Sequence, residues 1–198
     1  MSKLKGRLQS SSGKIMDVQF PIPHPEFKKI IRELTNDDPH GTWHLYEFQV
    51  CSDAEGFSLE RCHNLDELNY YGHIVDQFDE YDWGRYKFLL DAGVAEWYNL
   101  KTIINVAANI NNYCLIENVH SYKDLGKILT QDDPNYADAD DKTLRDLGKK
   151  YAKERHGKIS EGYFVQKCPK SWKQIYDGNP QTIDPKFRLE ERVGVDNV

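Results

Sequence analysis

The spacing of apolar residues along this chain switches repeatedly between a period of two and a period near 3.6, and those switches predict its elements. Lys14–Ile22 (KIMDVQFPI) alternates and is rich in β-branched and aromatic residues, which predicts a strand that Pro21 and Pro23 stop. His24–Leu34 places Phe27, Ile30, Ile31 and Leu34 on one helical face. The polar stretch Thr35–Gly41 breaks that helix, and Thr42–Ser52 reads as a second strand, giving a strand–helix–strand unit. Asn64 then caps a helix, with Glu67 placed to complete a capping box. Leu65, Leu68, Tyr71, Val75 and Phe78 mark its apolar face, and Asp66, His73, Asp76 and Glu80 its polar one. A second helix is expected at Trp83–Leu90, ended by Gly93, and a third after Asn99 with Leu100, Ile103, Ile104 and Ala107 inward. Tyr113–Glu117 is strand-like.

Two similar segments follow, Ser121-Tyr-Lys-Asp-Leu-Gly-Lys127 and Thr143-Leu-Arg-Asp-Leu-Gly-Lys149, each opening as Ser/Thr-x-x-Asp, a capping box. The acidic loop QDDPNYADADD lies between them, and Lys158–Gln166 reads as a closing strand. Residues 167–198, rich in Pro and charge, read as an appended tail with little core of its own. The fold class expected is α+β, as an α+β domain over 1–59, an acidic helical domain over 60–97 and an α+β domain over 98–166.

Composition narrows the class. With 39% hydrophobic and 12% aromatic residues the chain buries cores, so it is not a disordered acidic tail. There is no apolar run long enough for a membrane span, and the opening MSKLKGRLQSSSGK lacks the apolar core of a secretory signal. Cys51, Cys62, Cys114 and Cys168 show no metal-binding or framework spacing, so free structural thiols in a cytoplasmic protein are expected. Charge changes the picture most. Asp37–Asp141 holds 21 Asp/Glu against 6 Lys/Arg, while both flanks are net positive. Such a middle repels itself unless the field has a use, and its natural use is to resemble a polyanion. At one charge per ~1.7 Å of duplex axis, 21 carboxylates correspond to roughly 36 Å of DNA.

Other chemistries fit less well. Asp132–Asp141 lacks the Gly and Glu of a calcium loop at the required positions. His40 and His44, with Glu47, lie too far apart on a strand to share one zinc ion. No nucleophile elbow, P-loop or dinucleotide fingerprint is present, so neither catalysis nor a cofactor is expected. Lys142–Lys158 carries seven Lys/Arg against Asp146 and Glu154, but the adjoining acidic block argues that this stretch meets acids of the protein itself, across a domain or subunit contact, rather than a duplex. Trp83, Trp97 and Tyr98 could serve an interaction adaptor as anchors, although ordinary core is the plainer reading.

Taken in order, VQFPI, FKKIIREL, LYEFQV, FSLERCHNLDELNYYGHIV, LKTIINVAANI and SYKDLGKIL resemble the ArdA antirestriction proteins of plasmids and conjugative transposons, over about residues 14–166. Asp124–Leu129 matches the family's late DLGRYY-like helix, and Thr143–Lys149 with Gly157–Val165 its closing helix and strand. The resemblance implies an elongated molecule of three small α and α+β domains in a row, usually a homodimer. It also implies mimicry of bent DNA that blocks the DNA-recognition and methyltransferase subunits of type I restriction–modification enzymes. No catalysis, metal or cofactor, and no direct contact with nucleic acid or membrane, would be expected. The carboxylates expected to stand in for phosphates are Asp66, Glu67, Asp76, Asp79, Glu80, Asp82, Asp91 and Glu96, continued by Glu117, Asp124, Asp132, Asp133, Asp138, Asp140 and Asp141. The basic Lys142–Lys158 and the tail from Lys167 depart from the family, which leaves room for another target such as a CRISPR effector or a transcription regulator.

Overall fold

A computed structural model describes residues 4–50, 64–95 and 99–189, with backbone only at Gln49 and Val50. It is a mixed α+β protein with six α-helices and two small antiparallel three-stranded sheets among the described residues. Contacts divide the chain into two units: 1–90, 94–108 and 174–198 form the first, 91–93 and 109–173 the second. The helix after Asn99 and the segment from 174 therefore belong with the N-terminal sheet, across the expected boundaries at 97/98 and 166/167.

The first sheet has the order β2-β1-β3, with β1 at Leu4–Ser10, β2 at Ile15–Phe20 and β3 at Trp43–Val50. The central strand β1 lies in a stretch for which apolar spacing predicts no element. Its alternation is Leu4, Gly6, Leu8 and Ser10 inward, and with only two apolar side chains it gives a weak period. Helix α1 (His24–Thr35) carries Phe27 and Leu34 buried. Phe20 meets Phe48 edge-on at 5.7 Å and Phe27 meets Trp43 at 5.5 Å. On β1, Arg7 bridges both neighbouring strands, to Asp17 at 2.9 Å and Glu47 at 2.8 Å.

Three helices complete the first unit: α2 (Leu65–Val75), α3 (Glu80–Asp91, except for its last residue) and α4 (Leu100–Ala107). Asn64 caps α2 by accepting from the N–H groups of Asp66 and Glu67, and Asn99 caps α4 by accepting from Thr102. The reciprocal half of the expected capping box is replaced, because Glu67 Oε1 accepts from Tyr176 Oη at 2.5 Å. The buried Tyr71 and Tyr86 hydroxyls, 2.8 Å apart, tie α2 to α3.

Over its described residues, 167–189, the tail is not an appendage. Residues 174–189 form a strap whose Tyr176, Ile183 and Leu189 are 2–3% exposed, each burial being worth about 1.5–3 kcal/mol. Buried side chains satisfy its backbone. Asn105 Oδ1 accepts from the N–H groups of Ile175 and Tyr176, and Asn105 Nδ2 donates to Tyr176 O. Asn69 Nδ2 donates to Phe187 O, and Asp66 Oδ1 accepts from Leu189 N at 2.7 Å. Two one-turn 3-10 helices, Pro180–Thr182 and Pro185–Phe187, supply the strap's local turns.

The second unit holds the sheet β4-β6-β5, with β4 at Tyr113–Glu117, β5 at Lys158–Ser160 and β6 at Tyr163–Lys167. The single closing strand expected over Lys158–Gln166 is a hairpin, turned at Glu161 and Gly162, both with positive φ. Helices α5 (Tyr122–Thr130) and α6 (Asp141–Glu154) contribute Leu125 and Ala152 to a core with Val119 and Phe164. The repeated Asp-Leu-Gly explains itself here. A Cβ on Gly126 would lie 1.9 Å from Leu144 O, and one on Gly148 1.9 Å from Tyr122 O, so two helix backbones touch where only glycine fits. Ser121 caps α5 as expected, but α6 starts earlier than Thr143, capped by Asp140. Cys114 and Cys168 form a disulfide with Cα atoms 5.8 Å apart, correcting the expectation of free thiols for these two, while Cys51 and Cys62 lie outside the described residues. The argument for a reducing compartment loses that support. No helix among the described residues is long and apolar enough to cross a membrane.

Candidate functional site

The site that best retains the expected character is the elbow between α2 and α3, Asp76-Gln-Phe-Asp-Glu-Tyr-Asp82. Four carboxylates fall in these seven residues with no Lys or Arg among them. Phe78 anchors the elbow, packing edge-on against Trp83 at 5.4 Å and Tyr86 at 5.6 Å. Trp83 is thus core rather than an interaction anchor, and the exposed aromatic is Tyr81, at 70%. Asp79 Oδ1 accepts from Asp82 N at 2.8 Å, and Glu80 and Asp82 sit in the first turn of α3, where the helix dipole favours negative charge. Asp76, Asp79 and Glu80 are exposed and Asp82 is half-buried. Burial, with Lys186 adding to it, lowers the His73 imidazole below its ordinary value, and Asp76 opposes this. His73 instead packs against Phe187 in a tilted ring contact, with centroids 4.8 Å apart.

Two expected members of this surface face inward. Asp66 is 7% exposed and holds the Leu189 amide, so its carboxylate serves the strap and offers nothing to a partner. Glu67 is half-buried under Tyr176, whose phenol is kept protonated by burial and by the hydrogen bond to Glu67. The helical period put Asp66 and His73 on the wet face because nothing in it announces the strap. Buried asparagines within helices, Asn69 and Asn105, were the available signal, since an amide facing a core needs a backbone to satisfy it. Glu96, Trp97 and Tyr98 lie outside the described residues.

In the second unit half of the eight expected acids are engaged by local structure. Asp124 Oδ2 accepts from Ser121 Oγ at 2.9 Å and from His120 N, and these bonds, the Ser121 hydroxyl first, lower its pKa. Asp133 holds the Asn135 amide at 2.9 Å. Asp140 accepts from Thr143 N at 2.7 Å, which lowers its pKa also. Asp141 pairs with Lys123 at 2.7 Å. Asp91 at the end of α3, Glu117 at the end of β4, Asp132 and Asp138 are exposed. This unit contains 11 Asp/Glu and 12 Lys/Arg, against 21 and 14 in the first. The acidic run of the sequence is therefore divided by folding, and its second half shares a unit with nearly equal positive charge.

Comparison with family models, with curated proteins and with solved structures gives no match for this chain.

Proposed function

We propose that this chain is a non-catalytic inhibitor that imitates DNA, an antirestriction protein in the manner of ArdA, acting on the DNA-recognition and methyltransferase subunits of a type I restriction–modification enzyme. The observation that carries the reading is the elbow. Its exposed Asp76, Asp79 and Glu80, with Asp82 beside them, present closely spaced charge on a rigid aromatic footing. Such a surface suits a cleft lined with Lys and Arg that normally holds phosphates. The ordered ArdA-like motifs support the same reading and give it a target; a CRISPR effector or transcription regulator offers the same cationic cleft and is the alternative. The exposed acids Asp91, Glu117, Asp132 and Asp138 are secondary contributors. The elongated row of three domains, the homodimer and the cytoplasmic location belong to this proposal as well.

The test is inhibition of DNA cleavage by a type I enzyme, comparing the wild-type chain with D76N/D79N/E80Q/D82N. Asn at position 79 retains an oxygen for the Asp82 amide, so the elbow keeps its shape. Each exposed charge contact is worth at most about 1 kcal/mol, so the four together account for a loss of tenfold or more. Unchanged inhibition by the neutralised protein refutes the elbow as the contact. A salt-insensitive interaction abolished by Tyr81→Ala supports a protein adaptor anchored on that ring instead.

A further inference from the structure

The second unit carries a charged face that the elbow does not explain. On α6, Leu144, Gly148 and Ala152 are buried, whereas Lys142, Arg145, Lys149, Lys150 and Lys153 are all exposed. At 3.6 residues per turn, Lys142, Arg145, Lys149 and Lys153 fall within an arc of about 80° and extend along about 16 Å of axis. Among the described residues none of these cations forms an ion pair. The carboxylates just before them are occupied, Asp140 as the helix cap and Asp141 with Lys123, leaving Asp146 and Glu154 as the acids on the same exposed surface. Within this unit the basic stretch is not neutralised by ion pairs among the described residues.

We infer that this face of α6 docks on the phosphate backbone of nucleic acid without reading its sequence. Three features select that partner. The fully exposed positions of the helix are Lys, Arg, Thr, Asp and Glu, with its apolar Leu147 and Tyr151 half-buried, while protein interfaces are centred on apolar and aromatic groups and depleted in Lys. A bilayer would need an apolar helix face to insert, and that of α6 is buried in the core with Leu125 and Phe164. Phosphate asks only for cations at regular intervals: about 16 Å of duplex carries roughly ten phosphates, of which about four lie within reach of four cations in a row. This inference is independent of the elbow, and it gives the molecule a means of being held near the DNA its target attacks.

Fluorescence anisotropy of a short labelled duplex with the full-length protein tests it. Binding in the range of about 10⁻⁶–10⁻⁴ M at physiological salt is expected, with a slope of log K against log salt near −3.6 for four phosphates. In K142Q/R145Q/K149Q/K153Q affinity falls tenfold or more and the slope flattens, with an unchanged circular dichroism spectrum. Three binding results overturn the inference. These are absence of binding by the wild-type chain at about 50 mM salt, equal binding by the variant, or a variant-sensitive affinity that is as strong for anionic phospholipid vesicles as for duplex. Salt-sensitive self-association abolished by the same variant, without duplex binding, assigns the face to a second copy and overturns it too.

Discussion

Asp66, in the first turn of α2, and Asp76, just past its last turn, are chemically identical and do opposite work. Asp66 accepts a backbone N–H from the strap at 7% exposure; Asp76 stands in water. Asp66→Ala leaves the Leu189 amide buried without a partner, which costs about 1–3 kcal/mol in urea unfolding, while Asp66→Asn keeps an acceptor and costs less. Both should inhibit cleavage as the wild type does at temperatures where they stay folded. A selective loss of inhibition by Asp66→Asn at undiminished stability would return Asp66 to the contact surface. His73 gives a pH signature of the strap. Its folded pKa lies below the ordinary 6.5, through burial first and then Lys186, with Asp76 opposing. The unfolded chain therefore takes up the proton first, so this contribution to stability is present above about pH 6.5 and is lost as pH falls through the lower folded value. Urea midpoints should decline from neutral toward acid pH, and less so in His73→Gln. An identical decline in that variant would show that His73 does not sense the strap.

Elements with strong periods were legible in the sequence: α1, the Asn64 and Asn99 caps, the buried face of α4 apart from the half-buried Leu100, and β4 all lie where apolar spacing put them. What escaped was held by contacts without a period. Strand β1 has Gly6 and Ser10 at two of its four inward positions, and the strap buries Tyr176, Ile183 and Leu189 at irregular intervals. The repeated Asp-Leu-Gly was visible, but its cause, a backbone-to-backbone crossing, exists only in three dimensions. That crossing makes a sharp prediction. Gly126→Ala drives a methyl into Leu144 O, a backbone atom that has nowhere to retreat, and should destabilise by at least the about 1–3 kcal/mol typical of overpacking. Gly84→Ala, in α3 with nothing within 4 Å of the added Cβ, should instead stabilise by up to about 1 kcal/mol. Thermal unfolding of the two variants gives shifts of opposite sign if the helix crossing is as described.

At the scale of the molecule, the sequence displayed a block of 21 acids and two basic flanks, and folding redistributes them. Linear charge counts assume that neighbours in sequence are neighbours in the field. Here the acidic block is shared between two units, one of which also holds the whole basic stretch Lys142–Lys158 and is nearly balanced. The proposed DNA mimicry therefore rests on the exposed elbow rather than on the whole acidic block. Displacement of a labelled duplex from the isolated DNA-recognition subunit of a type I enzyme tests that most directly. The wild-type chain is predicted to compete with the duplex and to lose affinity steeply as salt rises, and D76N/D79N/E80Q/D82N to compete at least tenfold more weakly. Competition that is equally strong for both proteins, or that persists unchanged at high salt, would contradict it.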